Sequence, residues 1–70
     1  MDSTEFLRHA VAMSGKSARQ VSRDIGRADT FVSSTLGKGS DLGLKTLTAV
    51  ADATGYKLYA EGNGERIELG

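Results

Sequence analysis

The side chains of this 70-residue chain that could do chemistry are hydroxyls and basic groups, not nucleophile–base pairs. Cysteine is absent, and the single histidine, His9, stands beside Arg8 with no further ligand type spaced to join it. No metal, no cofactor and no enzymatic activity are therefore expected, since neither an acid pair with a plausible cleft nor a nucleophile with its base can be assembled. Gly15-Lys16-Ser17 reproduces the tail of a phosphate-binding loop. That motif needs a glycine where Ala10 stands and a strand ahead of it, whereas the pattern here is helical, so nucleotide binding is excluded and Lys16 reads as a loop cation. What remains is Thr30, Ser33 and Ser34 on one side of a short segment, with Arg19, Arg23, Arg27, Lys38 and Lys45 around it. Hydroxyls can meet base edges, while cationic groups hold phosphates and carry little sequence information.

Thr30, Ser33, Ser34 and the three arginines all lie on the stretch from Ser17 to Gly37. Ser17 followed by Gln20 is a capping-box start, in which the hydroxyl accepts from the first turn and Gln20 reaches back to the cap. Val21 and Ile25 fall one helical turn apart on one face. Gly26 ends that helix, since a glycine enters the left-handed conformation without a Cβ clash. A second helix is expected to start near Ala28 or Asp29, with Phe31, Val32 and Leu36 inward and Thr30, Ser33 and Ser34 outward. A short polar helix propped on another by a glycine turn is what a helix-turn-helix reader of DNA requires.

Residues 17–55 resemble the Cro/lambda-repressor-like helix-turn-helix family, also called the xenobiotic-response-element type. The resemblance rests on Val21-Ser22, Ile25-Gly26, Val32-Ser33, Leu36-Gly37 and the run from Leu44 to Gly55, a little over half of the chain. It implies a mainly α fold with a four-helix lambda-repressor-like DNA-binding domain over residues 1–55; the C-terminal β-hairpin expected over residues 56–70 is read from the local pattern of that segment. The resemblance also implies that Ala28, Asp29, Thr30, Ser33 and Ser34 meet base edges in the major groove. Asp29 either accepts from a cytosine amino group or caps its own helix, and the cap is the favoured reading. Ser17, Arg19, Gln20, Arg23, Arg27, Lys38, Ser40 and Lys45 are the expected phosphate contacts. The loop Lys38-Gly39-Ser40 belongs with them because the family's loop after the recognition helix touches the DNA backbone. Ala18 departs from the family, in which lambda and related repressors carry a glutamine at that place; Arg19 or Gln20 would substitute from the adjacent turn, and backbone N–H groups at the helix start can also serve phosphate. With no arginine, glutamine or asparagine on the outward side of the reading helix, shape readout would have to help direct readout.

The net charge is zero, with nine basic and nine acidic residues. Their distribution is uneven: from Arg8 to Lys45 the acids are only Asp24, Asp29 and Asp41, while Asp2, Glu5, Asp52, Glu61, Glu65 and Glu68 lie outside that span. Such asymmetry suits a protein with one DNA-facing side. No long apolar run and no signal-peptide pattern appear, so a cytoplasmic protein without membrane contact is expected.

Asp2 to Ser14 reads as the first helix, with Phe6, Leu7, Ala10, Val11 and Met13 as its apolar stripe. Leu44 to Thr54 reads as a scaffold helix, with Leu44, Leu47, Val50, Ala51 and Thr54 on one face. From Tyr56 to Leu69 the period changes to alternation, and Asn63-Gly64 is a strong hairpin signal. That turn pairs Gly62 with Glu65, Glu61 with Arg66, Ala60 with Ile67, and Leu58 with Leu69. Leu58, Ala60, Ile67 and Leu69 then share one face and are the expected dimer interface, because an isolated hairpin is marginal in water and its open edge is a hazard. A strand that dimerises after the helical domain is also similar to Cro-type repressors. The alternative is a hairpin that only caps the monomer.

Two functions follow as expectations. The first is a sequence-specific repressor of bacterial or phage type, binding double-stranded DNA as a homodimer on a two-fold operator. The second is an antitoxin-like module that neutralises a toxin or other protein partner, with the acidic hairpin as its surface.

Overall fold

The computed structural model describes all 70 residues. Asp2 starts the first helix, α1 (Ser3–Ser14), by accepting the Glu5 backbone N–H at 2.8 Å. That N–H holds the Asp2 carboxyl below the usual carboxylate range, as a helix start does for an acid. α1 buries Leu7 and Ala10. Met13, grouped with that stripe by its spacing, is instead 66% exposed; it sits on the last turn before Gly15 ends the helix, past the residues that cover Leu7 and Ala10.

The second helix, α2 (Ala18–Asp24), is capped by Ser17, whose hydroxyl accepts the Gln20 N–H at 3.0 Å. The reciprocal half of the capping box does not form, because the Gln20 amide donates to Asp24 at 2.8 Å instead. Gly26 adopts φ +76°. Its N–H donates to the Arg23 carbonyl and that of Arg27 to the Ser22 carbonyl, each at 2.9 Å. This pair of bonds is the Schellman closure that satisfies the last carbonyls of a helix.

The third helix, α3 (Phe31–Lys38), begins later than the sequence suggests. Ala28-Asp29-Thr30 form a turn closed by Phe31 N–H donating to the Ala28 carbonyl at 2.9 Å. Val32 and Thr35 are the buried residues of α3, with Phe31 and Leu36 half-buried beside them. The fourth helix, α4 (Leu44–Thr54), buries Val50 and Ala51, whereas Leu44, assigned to its inner face, is 53% exposed on the first turn.

Leu7, Ala10, Val21, Val32 and Val50 form one fully buried cluster contributed by all four helices. Tyr56 closes it, its ring edge-on to Phe6 at 5.5 Å, an arrangement that adds to simple burial. Tyr56 thus belongs to the helical body and not to the alternating segment. Strands β1 (Tyr59–Gly62) and β2 (Glu65–Glu68) follow as an antiparallel pair. The register is Gly62–Glu65, Glu61–Arg66, Ala60–Ile67 and Tyr59–Glu68, extended by the Leu69 N–H donating to Leu58 at 2.9 Å. Asn63 and Gly64 turn the chain at φ +51° and +76°, the primed turn whose twist matches the strands.

The fold is thus mainly helical, with four helices and a two-stranded hairpin. The hairpin stands off the helices. Its base meets α4 where Thr48, Ala51 and Asp52 face Leu58 and Leu69, and its tip projects. The molecule accordingly measures 39 × 21 × 19 Å with a radius of gyration of 12.2 Å, above the ~11 Å of a rounded chain of this length. No helix is long and apolar enough to cross a membrane.

Candidate nucleic-acid interface

The joint between α2 and α3 is built on Ser22, which is fully buried. Its hydroxyl donates to the Ala18 carbonyl at 2.8 Å and accepts the Val32 N–H at 3.0 Å. α3 has no side-chain cap of its own, so this contact from the neighbouring helix satisfies one of the N–H groups that every helix start leaves unpaired. Sequence reasoning gave Ser22 no role. The available signal was a serine one turn from Ala18 on the apolar side of α2, a position where a polar group must find a partner.

On the opposite side of α3, Ser33 and Ser34 are exposed, as are Ala28 and Thr30 on the turn before it. Four of the five expected base-reading positions therefore open to solvent together. Asp29 is the fifth and behaves differently. It does not cap α3; its carboxylate accepts from Arg23 Nε at 2.8 Å and Nη2 at 3.1 Å, and from Arg19 Nε at 3.0 Å. Two guanidinium groups outcompete one backbone N–H, because charge-assisted bonds are roughly twice as strong as neutral ones. Arg23 first, and Arg19 after it, holds the Asp29 carboxyl below the usual carboxylate range, and the same pairing raises Arg23. Arg19 and Arg23, one turn apart on α2, are thereby fixed at the entrance to α3. Both remain about half or more exposed.

The other expected phosphate contacts divide into free and engaged groups. Lys38 and Lys45 are exposed, and neither takes part in an ion pair. Arg27 donates to the Thr46 hydroxyl at 2.9 Å and lies 4.7 Å over the Phe31 ring, which fixes it beside Lys45 on the rim of one recess. Ser17 and Gln20 are exposed, but their side chains serve α2 as described. Ser40 lies in the loop after α3, and its carbonyl accepts the Thr4 hydroxyl at 3.0 Å, which pins that loop to α1. Lys16 donates to Asp24 and to the Ala53 carbonyl, each at 2.8 Å, and so ties its loop to the end of α4. Asp24 is held below the usual range by Lys16 and then by Gln20.

No protein-family model matches the chain, and no curated protein or solved structure matches it either. The arrangement offers a row of short hydroxyls, two arginines fixed at one end of that row, and free lysines at the end of α3 and the start of α4. Such a surface can hydrogen-bond base edges and neutralise phosphates.

Proposed function

We propose that the α2–turn–α3 unit reads duplex DNA and that the protein is a sequence-specific repressor of the Cro/lambda-repressor-like type, acting as a dimer on a two-fold operator. The observation that carries this reading is the α3 surface: Thr30, Ser33 and Ser34 are open, while Ser22 locks the opposite side of the unit to α2. Arg19 and Arg23 stand at the entrance of α3, where they would meet the phosphates flanking the groove. Occupying a promoter and excluding polymerase needs no further chemistry. The hairpin is the dimerising element in this reading, because it stands off the helices with Tyr59 and Ile67 exposed.

The test is selection from a random duplex library, followed by salt-dependent binding of the enriched sequence. The expected result is a palindrome with half-sites about one helical turn apart. No enrichment, with no duplex binding at low salt, would overturn the proposal. An antitoxin-like module is the second reading, favoured by the exposed acids Glu61, Glu65 and Glu68 on the projecting hairpin. Replacing Arg19 and Arg23 separates the two, since DNA binding should fall and partner binding survive.

A further inference from the structure

The hairpin's hydrogen-bond parity determines which of its edges can receive a second copy of the chain, and in which alignment. Leu58 and Leu69 form a hydrogen-bonded pair. Because bonded and non-bonded pairs alternate along an antiparallel ladder, Ala60–Ile67 and Gly62–Glu65 are bonded too, while Tyr59–Glu68 and Glu61–Arg66 are not. The free edge of β2 therefore presents the N–H and C=O groups of Arg66 and Glu68. The free edge of β1 presents those of Tyr59 and Glu61.

We infer that two copies join through β2, antiparallel, about a two-fold axis that passes through Ile67. This inference rests on the hairpin-dimer reading above and adds its edge, register and residues. Centred on Ile67, Arg66 of each copy exchanges two backbone bonds with the partner's Glu68, so every outward group of both strands is used. The side chains agree. Arg66, already 3.0 Å from Glu61 of its own chain, lies between that carboxylate and the partner's Glu68. Ile67, 51% exposed in the single chain, lies directly opposite the partner's Ile67 at the close spacing of a non-bonded pair. Centring on Arg66 or on Glu68 instead sets like charges opposite each other. Joining through β1, centred on Ala60, sets Tyr59 against the partner's Glu61, with no charge pairing and a smaller apolar contact.

The product is a four-stranded sheet with β2 and its copy in the middle. Its two-fold axis is perpendicular to the sheet, so both helical bodies lie on one face, at opposite ends. A four-residue seam falls short of the ~1,200 Å² of a tight interface. The dimer is therefore concentration-dependent and would be favoured by a two-fold DNA site.

Complementary charge variants test the register. R66E sets a second carboxylate opposite the partner's Glu68, and E68R sets a second guanidinium opposite the partner's Arg66. Each variant alone should self-associate about tenfold or more weakly than wild type in sedimentation, and an equimolar mixture should form a heterodimer. Loss of the pairs within one chain (Glu61–Arg66, Lys57–Glu68) cannot produce that rescue, because mixing does not restore them. The natural chain lacks cysteine, so Ile67→Cys and Ala60→Cys give a second readout. Ile67→Cys should cross-link into a covalent dimer on oxidation, since a non-bonded pair brings the Cα atoms to ~4.5 Å, within disulfide reach. Ala60→Cys should not. Cross-linking through Ala60→Cys, or dimers of R66E and E68R as stable as wild type, would overturn this register while leaving a dimer in place. A wild-type chain that stays monomeric up to ~1 mM would overturn the register and the dimeric reading together, leaving the α3 surface to be judged by the duplex selection alone.

Discussion

The helix-turn-helix unit and the hairpin are both shaped by glycine at a tight turn, yet they are held by different means. α2 and α3 are fixed by a buried contact, Ser22 to the Val32 N–H, and by two fully buried valines, Val21 and Val32. The hairpin is held by its own ladder, by exposed ion pairs and by a small base against α4. One region is determined by the body of the protein. The other is complete in itself and unfinished at its edges. A surface held rigidly from behind can discriminate a ligand, whereas an element held mainly by its own ladder gains from a partner.

The largest expected effects fall on the helical side. Leu7→Ala should cost about 2–5 kcal/mol, because the site is fully buried and leaves a cavity. Ile67→Ala should stay within about 0.5 kcal/mol when measured on the monomer. Urea unfolding of both at low concentration makes the contrast direct, and equal losses would break it. Ser22→Ala should cost about 1–3 kcal/mol by leaving the Val32 N–H buried and unpaired. Hydrogen exchange should then rise first at the start of α3.

Glycine replacements separate the regions next. Gly26→Ala forces a side chain into φ +76° and should lower global stability by about 1–2 kcal/mol. Gly64→Ala carries the same strain at φ +76°. It should unravel the hairpin in exchange measurements, weaken self-association, and leave the urea midpoint of the helices nearly unchanged.

Smaller still is the acid response. Asp24 and Asp29 both titrate below the usual range when folded, through Lys16 and Arg23 respectively as the leading partners. Both therefore bind protons less readily folded than unfolded. Their stabilisation is complete above ~pH 4 and is lost as the pH falls through the depressed folded values. A urea midpoint that declines below ~pH 4 in wild type, and declines less in Asp29→Asn, is the expected result.

How far the sequence could be read follows the same division. The hairpin register was legible in full because its determinants are local: Asn63-Gly64 sets the turn and the alternation of Leu58, Ala60, Ile67 and Leu69 agrees with it. The ends of the helices were legible at Gly15, Gly26 and Gly55 for the same reason. Asp29 reads as a cap because an acid before a helix is one by default. Its true partners come from α2, six and ten residues back, and only the folded chain brings them there. Met13 and Leu44 follow the helical period, but each sits on a terminal turn that projects past the core. Of the candidate site, the outward positions of Thr30, Ser33 and Ser34 could be read from periodicity. That Ser22 must find a partner could be read from its place on the apolar side of α2, but the Val32 N–H that fills this role could not, since it depends on where α3 packs.

In the proposed function α3 meets base edges while α2 supplies phosphate contacts. The most direct test of that division is equilibrium binding of the selected duplex and its single-base variants by wild type, Thr30→Ala and Arg23→Ala across a salt series. Thr30→Ala should change the ranking of bases at one position in each half-site. Arg23→Ala should weaken every sequence alike and reduce the salt slope by about one. If both variants bind every duplex as wild type does, the α2–α3 surface is not the DNA-reading face.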